Sequence, residues 1–185
     1  MRRLVLLALL MALVAGIPAG ASTFLAMSQR ELVRDSAAVV DGEVLQVHSF
    51  WDPAGRIMIT EAIVRVTDTI VGDAGSVVIV RTFGGTVEGY TVKAEGFPTF
   101  NRGERLLLFL EPERDGAHRI TGYQQGQYRV TRNKEGVDVA IPTFEAAAAL
   151  LTRDGRQAQR PRALPLATLK SQIRTEARGL GRIEQ

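Results

Sequence analysis

No cysteine occurs in the 185 residues, and histidine appears only twice, at His48 and His118. The first absence excludes a disulfide framework, thiolate chemistry and lipidation through sulfur, so the fold must be held by its core alone. The second leaves no H-E-x-x-H motif and no histidine pair at helical spacing, and a zinc site would have to be assembled from distant strands. Both histidines therefore read as ordinary strand or loop residues. No serine sits in a G-x-S-x-G elbow, which removes the α/β-hydrolase nucleophile. Gly84-Gly85 followed by Gly89 neither opens a helix nor precedes a lysine in Walker form, so this is not a phosphate loop. Aromatic residues make up only 6% of the chain, too few to suggest a base-stacking platform.

One long apolar run is present. Arg2 and Arg3, the run Leu4 to Val14, and the small-residue ending Ala19-Gly20-Ala21 have the layout of a secretory signal peptide, predicting cleavage after Ala21 and a new amino terminus at Ser22. The apolar core is shorter than the ~20 residues of a bilayer span. Arg2-Arg3 also fits the twin-arginine route, but the positive n-region of an ordinary signal looks the same, and the ordinary route is the expectation. The predicted destination is the periplasm or the medium. Without the leader the chain has 21 basic and 20 acidic residues, and the charge is uneven: residues 22–140 carry 13 basic and 16 acidic, residues 141–185 carry 8 and 4. A mildly acidic, exported body argues against nucleic acid as a partner.

After the leader, Ser28-Gln29-Arg30-Glu31 has the form of a capping box and predicts a short helix from Gln29 to about Ala37. A β-rich run from Ala38 to Trp51 slips its alternation near Gly42 to Leu45, as a bulge would cause. Asp52 to Gly55 is a turn, and Ile57 to Val71 alternates as a long, half-buried strand. Ser76 to Thr82 reads as a central strand. A glycine-rich segment follows, with a weaker strand at Val87 to Lys93. Arg105 to Leu110 is apolar on both faces. Arg119 to Tyr123, Gln127 to Thr131 and Val137 to Ile141 complete six to eight short strands, the pattern of a small barrel or sandwich. The barrel is favoured, because a long early strand with an internal glycine can serve two parts of a closed sheet.

The expected organisation is a signal peptide at 1–21, a β-barrel at 22–141 and a helical, basic tail at 142–185. Thr143 is expected to cap a first tail helix carrying Phe144, Ala147, Ala148 and Leu151. A second helix has the apolar stripe Leu166, Leu169, Ile173, Ala177 and Leu180, flanked by Lys170, Arg174 and Arg178. Docking of this stripe on its own barrel is favoured over contact with a membrane or a partner.

The stretch Arg81 to Leu110 couples two apolar strands through Gly84, Gly85, Gly89, Gly96 and Gly103. Loops held by a rigid barrel are common binding sites. The candidate recognition residues are thus Arg81, Phe83, Gly84, Gly85, Phe97, Pro98 and Phe100, with Gln124, Gln125, Gly126 and Gln127. A competing role for the phenylalanines is to plug a barrel end. Glu88 and Glu95 flank the glycine loop and supply the one carboxylate pair that could act as general acid and base on a glycan. No cofactor is implied.

The segments ELVRDSAAVVDGEVLQV, W-D-x-x-G-R-I, T-x-x-x-V-x-D-T-I-V-G-D, V-R-T-F-G-G, G-F-P-T-F-N-R-G-E-R-L-L-L-F-L and G-Y-Q-Q-G-Q-Y-R-V resemble a family of uncharacterised exported bacterial β-barrel proteins, over roughly Leu25 to Val139. The helix, long strand and turn of the first half also look like the netrin-like and tissue-inhibitor-of-metalloproteinases form of the OB barrel. That likeness implies a mainly β, small antiparallel, OB-like barrel with a short N-terminal helix and C-terminal helices. In the inhibitor family an amino-terminal cysteine chelates the protease zinc. Here the predicted terminus is Ser22 and the disulfides are missing, so inhibition of a secreted metalloprotease stands as an alternative and not as an inheritance. The leading expectation is a non-enzymatic exported module that binds another protein, such as a secreted hydrolase, through its glycine-rich loops. A small glycan hydrolase using Glu88 and Glu95 is the enzymatic alternative.

Overall fold

The computed structural model describes residues 23–144 and 149–183. The leader, Ser22 and part of the first predicted tail helix lie outside these residues. In chain order the elements are β1 (Thr23–Leu25), α1 (Gln29–Asp35), β2 (Ala38–Trp51), β3 (Met58–Val71), β4 (Val77–Phe83), β5 (Gly85–Val87), β6 (Tyr90–Val92), β7 (Arg105–Pro112), β8 (His118–Ile120), β9 (Gln127–Arg132), β10 (Asp138–Pro142), β11 (Ala149–Leu151), β12 (Leu164–Pro165) and α2 (Leu166–Gly179). Five strands close into a barrel in the order β7, β2, β3, β4, β8 and back to β7, with β4 and β8 parallel and the other pairs antiparallel. This is an OB-like barrel.

Closure depends on the long β2–β3 ladder. Val44 faces Val64 but Gln46 faces Ile63, so Leu45 is an extra residue, and two further shifts fall at Val39/Val40 and Asp41/Gly42. Each bulge adds bend and twist. The bend brings backbones together at Gly42, where an added Cβ would lie 2.6 Å from the Arg65 carbonyl oxygen and 2.7 Å from Val64 Cγ1. Only glycine fits without moving a strand.

Strand β7 separates two cores, as its unbroken apolar sequence foretold. Leu106, Leu108 and Leu110 point into the barrel with Val40, Val44, Ala62, Val64, Val78, Val80, Phe100 and Ile120. Leu107 and Phe109 point outward to a second cluster with Leu32, Val33, Val39, Ile70, Val71, Tyr128, Val130 and the apolar stripe of α2. The tail helix thus docks on the barrel wall, burying Leu166, Leu169, Ile173 and Ala177. No described helix is long and apolar enough to cross a membrane.

The outer edge of β7 is shared. Leu110 faces Ile120, and Leu108 faces Gln127 where an unbroken ladder would bring Gly122, so five residues, Gly122 to Gly126, are looped out. Before the loop the chain belongs to the barrel as β8. After it, β9 leaves with β10 and β12 as a flap outside the closed sheet.

Several expectations are corrected. The weaker strand at Val87 to Lys93 is a hairpin, β5 and β6, joined by Glu88-Gly89, both at positive φ, the geometry a two-residue hairpin turn needs. Strand β4 is buried on one face only, with Val77, Ile79 and Phe83 exposed. Strand β8 stops at Ile120, and Tyr123 opens a short 3₁₀ turn. Ala149–Leu151 is a strand paired in parallel with β1, not the end of a helix, and Thr143 gives its hydroxyl proton to Gln127. One C-terminal helix is described, not two.

Candidate functional site

The glycine-rich segment folds over the tip of the β2–β3 hairpin and the end of β4. Its backbone from Gly96 to Thr99 has no strand partner, yet four successive carbonyls are satisfied. Gly96 accepts from the Gln124 backbone N–H at 3.3 Å, Phe97 from Gln124 Nε2 at 3.1 Å, Pro98 from Thr82 Oγ1 at 3.0 Å and Thr99 from Gln127 Nε2 at 3.0 Å. Gln125 reaches the other way: its amide donates to the Leu25 carbonyl at 3.0 Å and accepts from Met27 N–H at 2.9 Å. These buried amides replace strand pairing, because an unpartnered buried carbonyl is costly. Gln124, Gln125, Gly126 and Gln127 are all buried. They brace the loop and the N-terminal strand from within and are not offered to a partner.

The braced loop presents aromatic rings. Phe97 meets Phe83 edge to face at 5.1 Å and Tyr123 at 4.9 Å; Tyr123 meets Phe24 at 6.0 Å, and Phe24 meets Phe144 at 5.7 Å, with Arg160 over the Phe144 ring. The row is possible because Gly96 has no side chain: a Cβ there would lie 1.8 Å from the Phe24 ring, and its φ is +78°. Such contacts hold the rings at fixed angles. Phe83 and Tyr123 nonetheless stay 47% exposed, so water covers apolar surface that the fold has ordered.

Phe83 and Phe97, with Tyr123, wall a cleft of about 680 Å³ whose floor is Ile59, Pro98 and Ile120, and whose rim is Arg81, Glu111, Glu113 and Arg119. On the other side of Phe83 and Phe97 a second hollow of about 400 Å³ runs under the β5–β6 hairpin, lined by Gly84, Gly85, Thr86, Lys93 and Phe100. The Arg81 guanidinium is held by Glu61 at 2.6 Å, and that bond raises its pKa. Arg119 is held by Glu111 at 3.1 Å with the same effect.

Of the residues singled out by sequence, Arg81, Phe83, Gly84, Gly85, Phe97 and Pro98 converge on these two hollows. Phe100 is 7% exposed and belongs to the barrel core, the plugging role. Ser22 lies outside the described residues. Glu88 sits exposed at the hairpin tip, Glu95 is exposed beside Lys93 at 3.6 Å, and neither lines either hollow. Sequence reasoning missed Tyr123, Glu113 and Arg119, which reach the cleft from the looped-out segment, from the residue after β7 and from β8. No local sequence signal marks Tyr123; its φ of +58°, an outlier for a bulky residue, appears only in the structure. Among the described residues no group of three or more His, Asp or Glu could hold a metal ion. Compared with protein-family models and with curated proteins, the sequence finds no match.

Proposed function

We propose that this chain is an exported binding module without enzymatic activity, which contacts another protein through the aromatic cleft between β4, β8 and the glycine-rich loop. The observation that carries the reading is the exposed pair Phe83 and Tyr123, held at near-right angles to Phe97 by a loop whose four carbonyls from Gly96 to Thr99 are hydrogen-bonded. Rigid, half-exposed aromatics flanking a pocket are what interface hot spots are made of. Glu111 in the cleft and Glu61 next to it are engaged by Arg119 and Arg81, a poor arrangement for proton transfer. The layout of the leader supports export, which would bring secreted hydrolases within reach as partners.

The experiment uses the mature chain as bait in the native secreted fraction, beside a Phe83→Ala, Tyr123→Ala double variant. Wild type retains a partner that the variant loses. Equal recovery by both would overturn the cleft as the binding surface. Turnover of a glycan panel by wild type, abolished by Glu88→Gln with Glu95→Gln, would overturn the absence of catalysis.

A further inference from the structure

The charges around the cleft do not balance. Arg81 and Arg119 each have their own carboxylate, Glu61 and Glu111. Glu113 lines the same cleft, half-buried, and its carboxylate has no hydrogen bond or ion pair among the described residues, while its field and that of exposed Asp115 still act on Arg81. Glu113 acts on Arg119 as well. Among the described side chains, four acids, Glu61, Glu111, Glu113 and Asp115, thus act on two bases, and of the two acids left without an ion pair Glu113 is the one that lines the cleft together with Phe83, Phe97 and Tyr123.

We infer that the cleft takes a positively charged side chain, a lysine or arginine carried by the partner protein, with Glu113 as its counter-ion and Phe83, Phe97 and Tyr123 as its walls. The inference rests on the reading of the cleft as a protein-binding surface. Ring faces attract cations through their quadrupole, and the attraction grows when water is excluded. An acidic group would meet net negative charge, and a purely apolar one would bury Glu113 without a partner, which is unfavourable. The mature barrel as a whole, acidic by 16 to 13 over residues 22–140, adds long-range attraction for a basic segment.

The test titrates the ¹⁵N-labelled mature chain with acetyl-Gly-Arg-Gly-amide, its lysine counterpart, and the citrulline analogue, which keeps the shape without the charge. The arginine and lysine peptides shift the amide signals of Phe83, Glu113 and Tyr123. Citrulline binds about tenfold more weakly or worse, and Glu113→Gln lowers affinity for the arginine peptide by about tenfold at an unchanged melting temperature. Equal binding of citrulline, indifference to Glu113→Gln, or no shift with any peptide would overturn the inference. So would choline binding more tightly than the arginine peptide, which would point to a small ammonium ligand. Self-association abolished by Glu113→Gln would make the occupant a second copy of this chain and overturn the choice of a different protein. The two levels separate in the capture experiment. A Glu113→Gln bait that keeps the partner lost by the aromatic double variant removes the basic side chain and leaves the binding module standing. If the double variant keeps it too, both readings fall.

Discussion

Two parts of this barrel set arginines and carboxylates against apolar surface, and they differ in what covers them. Under α2, Asp41 has a side chain only 1% exposed and binds Arg105 through both oxygens, at 3.0 and 2.7 Å, and Lys170 at 2.6 Å. Lys170 continues to Asp68 at 2.9 Å, and Arg105 to Asp138 at 2.5 Å. Every charge there has a partner, and the neighbouring apolar stripe is sealed by the helix. At the cleft the arginines are also paired, but the lining carboxylate of Glu113 has no ion pair and two rings remain in water. The chain had a helix with which to cover apolar surface and placed it on the outer wall of the barrel. The exposed rings are therefore a feature that the sequence maintains alongside a well-sealed core.

The largest expected effect comes from opening the sealed region. Asp41→Ala leaves Arg105 and Lys170 without their shared buried counter-ion and should cost about 3–5 kcal/mol, read from urea unfolding. Phe83→Ala in the cleft should change stability by no more than about 1 kcal/mol while abolishing capture of the partner. If the cleft variant proved the more destabilising of the two, the contrast would collapse. Ile173→Ala, in the middle of the α2 stripe, should cost about 2–4 kcal/mol in the same assay, because a fully buried side chain leaves a cavity. Gln125→Ala sharpens the comparison from the other side. It strands the Leu25 carbonyl and the Met27 N–H, should cost about 1–3 kcal/mol, and should speed exchange of the Met27 amide.

Acid probes the flap that β9, β10 and β12 form outside the barrel. Asp138 is held below the ordinary carboxylate range by hydrogen bonds from Arg132 and then Arg105. A lowered folded pKa contributes stability that is present above the unfolded value of about 3.9 and lost as pH falls through the folded value. Melting temperature should therefore drop below about pH 4, and Asp138→Asn should make that drop shallower. A comparably small effect is expected at the N-cap. Ser28 accepts from Glu31 N–H at 3.2 Å and Glu31 accepts from Ser28 N–H at 2.8 Å, so Ser28→Ala should cost about 1 kcal/mol.

Much of the fold was legible because its signals are local. The capping box at Ser28 and Glu31, the slipped alternation at Leu45, the two-faced run of β7 and the stripe from Leu166 to Ala177 each announce themselves within one element. The cleft was legible in part. Arg81, Phe83, Phe97 and Pro98 stood out beside glycines, whereas Glu113, Arg119 and Tyr123 reach it from the residue after β7, from β8 and from the looped-out turn, and no periodicity encodes that meeting. The glutamines were misplaced for a related reason: Gln-Gln-Gly-Gln resembles a solvated loop, but the 96–99 backbone has no strand to pair with and draws those amides inward. Ala149 to Leu151, at the end of an alanine-rich run, resemble the end of a helix in sequence, but β1, far away in the chain, pairs with them.

The central claim is that the ordered rings beside Glu113 form the surface through which this barrel meets its partner. A photocrosslinking phenylalanine analogue replacing Phe83 or Tyr123, with Lys134 in the β9–β10 turn as the control position, tests it in the native secreted fraction. The account predicts a common crosslinked product from both cleft positions and none from the control. Equal crosslinking at Lys134, or none at either ring, would contradict it.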